Sequence, residues 1–174
     1  QAIPVPRIVY LDADTLVTGS LRPLFEAPMG DRLLAGVLDL ASSTSRLPRA
    51  PGEPYVNAGV LLMNLELMRR EACMDKFRSI QDEYTPYLTW LDQCILNKYA
   101  EGRKFLVPSR WNRQLLSNML TLPAARAAVS RRQTSILHFL GAIKPWHAWC
   151  NPIIAELWWK IAKASQVPGL VLQP

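Results

Sequence analysis

The chain has 174 residues, which is the usual length of a single domain and enough to bury a hydrophobic core. With 49% hydrophobic and 20% charged residues it is not intrinsically disordered, and no stretch has the roughly 18 uncharged apolar residues of a membrane span. Its net charge of +6 favours an anionic partner, namely a nucleoside diphosphate or an anionic lipid surface.

The net positive charge is concentrated in the second half of the chain. Residues 101–150 contain a single acid, Glu101, against eight bases: Arg103, Lys104, Arg110, Arg113, Arg126, Arg131, Arg132 and Lys144. No aromatic-interleaved nucleic-acid motif accompanies them, so nucleic acid is not expected as a partner. The cysteines show no CxxC spacing and residues 1–6 lack the features of a signal peptide, so we expect a reduced, cytoplasmic protein.

Apolar runs and helical periodicities alternate along the chain, which is typical of an α/β fold. Strands are predicted at residues 8–11, 33–40, 55–63, 105–107 and 135–140, and residues 15–17 are expected to lead the chain out of the turn that follows the first strand. Helices are predicted at residues 20–25, 66–84, 92–99 and 152–164, with Ser20 capping the first and an apolar core stripe on the second that includes Met74. Residues 41–54, rich in Ser and Pro, are predicted as a functional or mobile loop.

Two aspartates, Asp12 and Asp14, follow the first predicted strand at a spacing of i, i+2. On an extended strand this spacing places both carboxylates on one face, where they repel each other unless a cation lies between them. The pair therefore predicts a divalent metal site at the end of a buried strand. The alternative is a pair of turn-forming aspartates.

Three residues at the last predicted strand and the loop after it have complementary chemistry. His138 offers an imidazole, which together with carboxylates favours Mn²⁺ over Mg²⁺, although a lone histidine is more often a hydrogen-bonded core residue. Gly141 lets the backbone approach a ligand closely, and Lys144 offers a positive charge for phosphate. One loop would thus supply a metal ligand, a backbone donor and a cation to a single diphosphate.

Five segments, taken in order, resemble the family 8 glycosyltransferases, which are retaining enzymes of the GT-A fold. The segments are Tyr-Leu-Asp-Ala-Asp at 10–14, Asn-Ala-Gly-Val-Leu-Leu-Met-Asn-Leu at 57–65, Leu-Asp-Gln-Cys-Ile-Leu-Asn at 91–97, Trp-Asn at 111–112 and His-Phe-Leu-Gly-Ala-Ile-Lys-Pro-Trp at 138–146. The third segment lies at a predicted helix start, where the helix dipole alone also explains an aspartate. The resemblance implies an α/β architecture with a mixed, Rossmann-like sheet flanked by helices.

The resemblance implies a role for each matched residue. Asp12, Asp14 and His138 would bind Mn²⁺, with Mg²⁺ as the alternative ion. Gly141 and Lys144 would hold the diphosphate of a UDP-sugar, and Asp12 would also contact this donor. The donor sugar would be lined by Asn57, Ala58 and Asp92, with Gln93 opposite the leaving diphosphate. Asp39 would face either the donor sugar or the acceptor pocket.

Gln93 and Asp92 are the residues that the resemblance places at the reacting carbon. A glutamine is a poor nucleophile, so Gln93 favours attack by the acceptor on the face that the diphosphate leaves. The expected product is a hexose transferred to a saccharide or a lipid-linked glycan, as in lipopolysaccharide biosynthesis. Trp111, Asn112 and the loop 41–54 would shape the choice of acceptor.

The resemblance also predicts how the chain is divided. Residues 1–150 correspond to a partial GT-A catalytic domain from the DxD strand onward, and residues 151–174 to a C-terminal helix and tail. The family places nucleotide-binding strands before the DxD motif, so we expect an exposed sheet edge that associates with such a half or with another chain. Trp158 and Trp159 predict peripheral contact with the inner face of a membrane, unless their helix closes the core.

Two other functions fit parts of the sequence. Asp12-Ala13-Asp14-Thr15 matches the DxDxT motif of haloacid dehalogenase-type phosphatases, in which Asp12 would be the nucleophile. Gly30-Asp31, however, is not followed by the further acid that such a phosphatase needs. The other alternative is a non-catalytic sugar- or partner-binding remnant of a glycosyltransferase.

Overall fold

Two β-sheets organise the part of the chain that the computed structural model describes, namely residues 3–116, residue 123 and residues 134–164. The strands are β1 (Ile8–Leu11), β2 (Thr15–Val17), β3 (Leu34–Leu38), β4 (Val56–Met63), β5 (Lys104–Leu106), β6 (Arg113–Leu116) and β7 (Ile136–Leu140). The larger sheet has the order β1-β4-β3-β5 and the smaller one β2-β7-β6. Both sheets contain parallel and antiparallel pairs, which confirms the predicted mixed α/β architecture.

Strand β4 is the buried centre of the larger sheet. Its residues 56–62 are all buried, as expected for a strand covered on both faces. Strand β1 runs antiparallel to it with Leu11 opposite Val60. The N–H of Asp12 continues this pairing by donating to the carbonyl of Gly59 at 2.8 Å. The chain therefore leaves β1 beside the middle of β4.

Five α-helices flank the sheets in the described residues: α1 (Arg22–Phe25), α2 (Leu65–Arg70), α3 (Cys73–Tyr84), α4 (Leu91–Tyr99) and α5 (Pro152–Ala164). Helix α5 covers the smaller sheet, where Ile154 is fully buried in a cluster with Leu137 and Phe139. The last helix thus closes part of the core. Within the described ranges, no helix has both the length and the apolar character needed to cross a bilayer.

The single helix predicted at residues 66–84 is wrong, because the structure has two helices there. Helix α2 ends at Arg70, and Ala72 adopts the left-handed conformation (φ 50°, ψ 50°) before α3 begins. Beyond this break the apolar stripe is core only in part: Phe77 and Ile80 pack against a buried cluster, whereas Met74 is 58% exposed.

The remaining differences concern the ends of elements. Strand β3 stops at Leu38, so Asp39 follows the strand instead of lying within it. Ser20 accepts a hydrogen bond from the N–H of Arg22 at 3.3 Å, but Leu21 is the residue at the cap position of α1. Strands β2 and β6 have no counterpart among the predicted strands. The bounds of β1 and α5 agree with the prediction.

A buried ion pair ties the Ser- and Pro-rich loop 41–54 to the body of the protein. Glu53 Oε1 lies 2.5 Å from Lys104 Nζ, and the Lys104 side chain is 1% exposed. The same ammonium donates to the carbonyl of Asn97 at 2.8 Å, while burial lowers the pKa of Lys104. The N–H of Ala50 also donates to Glu101 Oε1 at 2.7 Å. The far end of the loop is therefore anchored to α4 and β5.

Candidate active site

A turn between the two sheets carries both aspartates of the DxD motif. Asp12 follows β1, and Thr15, the first residue of β2, bonds back to the Asp12 carbonyl through its N–H at 3.2 Å and its hydroxyl at 2.7 Å. Thr15 lies opposite His138 in the antiparallel pair of β2 with β7. The carboxylates therefore meet because of this turn, and the strand alternation argued from the sequence is not the cause.

Asp12, Asp14 and His138 converge on one point. His138 Nε2 lies 3.3 Å from Asp14 Oδ1 and 3.7 Å from Asp12 Oδ2. One ligand atom from each residue lies within 4.8 Å of the other two. Two carboxylate oxygens and one imidazole nitrogen form a donor set suited to Mn²⁺ or another divalent cation. The imidazole packs against Gly59 of β4, where a side chain would not fit. The residues present therefore fit a metal ion.

Lys144 lies directly behind this cluster. Its ammonium donates to Asp14 Oδ2 at 2.5 Å and to the carbonyl of Phe139 at 2.7 Å. The lysine is thus held at the carboxylate by the end of β7, close enough to share its charge with an anion bound there. Gly141, which lies between Phe139 and Lys144 in the sequence, adopts φ +80°, a conformation that favours glycine.

A cavity of about 680 Å³ opens beside the three converging side chains. Nine of the predicted site residues line it: Asp12, Asp14, Asp39, Asn57, Ala58, Asp92, Gln93, His138 and Gly141. Lys144 is not among the lining residues and reaches the site only through Asp14. The structure therefore brings together residues of the turn after β1, of β4, of α4 and of the end of β7, which lie far apart in the sequence.

Gln93 is held in place by two hydrogen bonds on the floor of the cavity. Its Oε1 accepts from the N–H of Ala58 at 2.8 Å, and its Nε2 donates to Asp39 Oδ2 at 3.3 Å. The buried Asp39 also accepts from Asn57 Nδ2 at 2.8 Å and from the N–H of Ala41 at 2.8 Å. The glutamine amide is therefore oriented before any ligand binds, with one lone pair of its oxygen already in use.

The profile of Glycosyl transferase family 8 matches residues 3–150 of the chain. The chain belongs to this family. The match includes Asp12, Asp14, His138 and all the residues that line the cavity, and it ends just before α5.

Individual relatives agree with the family assignment. The chain is 30% identical over 152 residues to a lipopolysaccharide 1,3-galactosyltransferase of Salmonella typhimurium, a match that covers 82% of this chain and 45% of that protein. It is 29% identical over 154 residues to a probable glycosyl transferase Gly of Streptococcus gordonii, covering 87% of this chain and 21% of that protein. The chain thus spans less than half the length of these curated relatives.

A solved structure shares the fold. The galactosyltransferase LgtC, crystallised with donor and acceptor sugar analogues, superposes with a TM-score of 0.78 at 30% identity, covering 96% of this chain and 64% of LgtC. This family 8 chain therefore has the mixed-sheet GT-A architecture that the sequence predicted.

Trp111 and Asn112 were expected to shape the choice of acceptor in this family 8 chain. Trp111 and Asn112 do not line the cavity, and they are only 4% and 1% exposed. Trp111 belongs to the core under the larger sheet and Asn112 contacts His138, so their expected part in acceptor choice stays a prediction. Asn112 Oδ1 lies 3.0 Å from His138 Nδ1.

Tyr10 is a site residue that the sequence argument missed. Its hydroxyl donates to Asp12 Oδ1 at 2.8 Å. This hydrogen bond, together with partial burial and the neighbouring charge of Asp12, raises the pKa of Tyr10 to about 12. The i, i+2 spacing of Tyr10 and Asp12 was the available signal, since it places both side chains on one side of the chain.

Exposed leucines form the rim of the cavity. Leu40, Leu91 and Leu116 line it and are 69%, 71% and 40% exposed. Leu91 also adopts φ +27°, which is strained for a residue with a side chain. The cavity of this glycosyltransferase-family chain thus has a polar, acidic floor and an apolar rim.

Proposed function

We propose that this site transfers a hexose from a UDP-sugar to a saccharide or lipid-linked glycan, with retention of configuration and with the help of Mn²⁺. The observation that carries the proposal is the convergence of Asp12, Asp14 and His138 at a cavity in a family 8 chain, with Lys144 beside them. It is supported by the similarity to two relatives, the lipopolysaccharide 1,3-galactosyltransferase and LgtC, whose structure contains donor and acceptor sugar analogues.

The leaving group is the first chemical problem. As the bond between the sugar and the diphosphate breaks, negative charge develops on the β-phosphate. A divalent cation held by Asp12, Asp14 and His138 would supply positive charge at that oxygen. Lys144 adds a second charge from the opposite side of Asp14, and the glycine at 141 allows the diphosphate to approach the backbone.

The electron-poor sugar carbon is the second problem. Asp92 and Gln93 line the same cavity, with Asp39 and the Asn57–Ala58 backbone on its floor. We propose that these residues hold the donor sugar and that the acceptor hydroxyl attacks the face from which the diphosphate departs. The free lone pair of Gln93 Oε1 would steady the positive carbon. An LgtC variant with glutamate in place of a glutamine is described as an active-site mutant, which agrees with such a role.

The acceptor enters over the leucine rim. Apolar side chains at Leu40, Leu91 and Leu116 suit the C–H faces of a pyranose ring or the aglycone of a lipid-linked glycan. Trp149, which is 79% exposed beside α5, supports the expected peripheral membrane contact.

The test compares metal binding and turnover in matched variants. We expect the chain to bind Mn²⁺ in calorimetry and to release UDP from UDP-galactose or UDP-glucose with a lactose acceptor. Asp14→Asn and His138→Gln should abolish both signals, whereas Asp82→Asn on the exposed face of α3 should change neither.

Three results would contradict the proposal in different ways. Transfer that continues in excess chelator would exclude the metal role. Saccharide binding without UDP release would favour the non-catalytic remnant. Hydrolysis of p-nitrophenyl phosphate, which we do not expect, would favour the phosphatase alternative.

A further inference from the structure

We propose that Asn112 is a positioning residue that holds His138 as its Nδ1–H tautomer, so that the Nε2 lone pair faces Asp12 and Asp14. The inference rests on the proposed metal site and adds the residue that prepares it. It follows from a series of hydrogen bonds in which the orientation of each side-chain amide determines the orientation of the next group.

The chain of hydrogen bonds begins at the backbone of Gly59. A backbone N–H can only donate, and that of Gly59 lies 3.0 Å from the Asn57 side-chain atom assigned as Oδ1. At its other end the same amide approaches Asp39 Oδ2 at 2.8 Å, and a carboxylate can only accept. Both ends therefore give Asn57 the same orientation, with its oxygen toward Gly59 and its NH₂ group toward Asp39.

The orientation of Asn57 determines that of Asn112. The Asn112 side chain approaches the same Asn57 oxygen at 2.8 Å, so it must present its NH₂ group there. Its oxygen then faces His138 Nδ1 at 3.0 Å. Asn112 is 1% exposed and His138 is 2% exposed, so the contact is sheltered from water. An amide oxygen cannot donate, and the proton of the neutral ring must therefore lie on Nδ1.

The consequence appears on the other side of the ring. With the proton on Nδ1, Nε2 carries a lone pair that points toward carboxylate oxygens at 3.3 and 3.7 Å. Three electron-rich atoms then face one another, an arrangement that a cation stabilises. Hydrogen bonds from outer residues to a ligating histidine commonly set its tautomer and its affinity for metal. Asn112 would do so here without touching the metal or the substrate.

The second histidine of the chain provides an internal reference. His147 Nδ1 accepts the N–H of Lys144 at 3.2 Å, so the neutral His147 ring carries its proton on Nε2. The chain contains only these two histidines. The two rings are therefore expected to be opposite tautomers in the same molecule.

The experiment is a two-bond ¹H–¹⁵N correlation spectrum of the metal-free, ¹⁵N-labelled 174-residue chain, recorded well above the ordinary imidazole pKa of about 6.5. His147→Asn assigns the signals by removing one ring. We expect His138 to show a protonated Nδ1 and an unprotonated Nε2. A protonated Nε2 on His138 in the wild-type chain would overturn the proposal, whatever the variants do.

Asn112→Leu keeps the branched shape and the number of heavy atoms of the side chain, and it removes the hydrogen bonds to the ring and to Asn57. We expect His138 to shift toward the Nε2–H tautomer and the Kd for Mn²⁺ to rise about 10- to 100-fold. Asn97→Leu is the matched control, because Asn97 is equally buried but bonds only to the backbone of Val56 and Gln93 and to Lys104. Retention of the Nδ1–H tautomer in Asn112→Leu would overturn the proposal.

This readout is independent of the proposed function. The Nδ1–H tautomer in a chain that fails to bind Mn²⁺ would support the positioning role and contradict the metal site. Mn²⁺ binding by a chain whose free His138 is protonated at Nε2 would support the metal site and overturn the positioning role.

Discussion

The imidazole of His138 rests on the backbone of Gly59, so closely that a Cβ built on Gly59 would lie 2.0 Å from His138 Cε1. The same glycine accepts the N–H of Asp12 through its carbonyl. One residue in the middle of β4 therefore sets the position of two candidate metal ligands, Asp12 and His138. No other residue type fits there without moving the ring.

Gly59→Ala tests this relationship. The added methyl group must displace the ring, so we expect the free energy of unfolding to fall by about 1–3 kcal/mol and Mn²⁺ binding to be lost. Chemical denaturation and calorimetry measure the two effects. In the control Gly19→Ala, the new Cβ would meet Ser135 at an ordinary distance of 3.5 Å, so both quantities should stay close to wild type. Wild-type Mn²⁺ affinity in Gly59→Ala would mean that Gly59 does not determine the position of the His138 ring.

Much of the site could be predicted because its residues lie in short, ordered segments. Asp12 and Asp14 lie only two positions apart, and β4 is a long apolar run that no other element resembles. The contacts of Asn112 could not be predicted, because they join it to residues 57 and 138, which only the folded chain brings together. No local pattern records such a contact.

Two features of the fold, the break at Ala72 and strand β6, could not be predicted because both depend on tertiary contacts. The helical spacing of apolar residues continues across Ala72, so periodicity alone cannot show that the chain turns there. Strand β6 is short and lacks alternation, and it is stabilised by pairing with β7 more than 20 residues later in the chain. Tertiary contacts decided both cases.

The role of Gln93 can be separated from that of a structural amide by kinetics. Gln93→Ala removes the oxygen that we propose faces the sugar carbon, and it removes the hydrogen bonds to Asp39 and to the N–H of Ala58. We expect kcat for transfer to fall about 100-fold or more with a smaller change in the KM for UDP-sugar. Gln81→Ala, on the exposed side of α3, is the control and should leave both constants unchanged. Nearly full kcat in Gln93→Ala would exclude the proposed role.

The break between α2 and α3 stores backbone strain at Ala72. A residue with a Cβ is disfavoured in the left-handed conformation, so Ala72→Gly should stabilise the protein by about 1 kcal/mol. Ala155→Gly makes the same change inside α5 and should instead destabilise it by about 1 kcal/mol, because glycine is a poor helix former. Urea denaturation of both variants gives the two signs. Destabilisation by Ala72→Gly would show that the strain is relieved in another way.

Glu71, next to this break, predicts how stability depends on pH. Its carboxylate accepts hydrogen bonds from the guanidinium of Arg103, one of them at 2.6 Å, and from Lys76 Nζ at 2.9 Å. Hydrogen bonds from Arg103 and then from Lys76 lower the pKa of Glu71 from 4.5 to about 2. Because the pKa is lower in the folded state, the folded state is favoured when the group is ionised in both states.

The stabilisation by Glu71 is therefore fully present above about pH 4.5 and is lost as the pH falls toward 2. Glu71→Gln removes this contribution, so the difference in unfolding free energy between wild type and variant should be largest near neutral pH and disappear at low pH. Glu66→Gln is the control: Glu66 pairs with Arg70 on the surface, where the side chains are 50% and 71% exposed and such a pair contributes little. Denaturation curves of the three proteins from pH 2 to pH 7 measure the effect. A constant difference across that range would mean that Arg103 does not hold Glu71 in its ionised form.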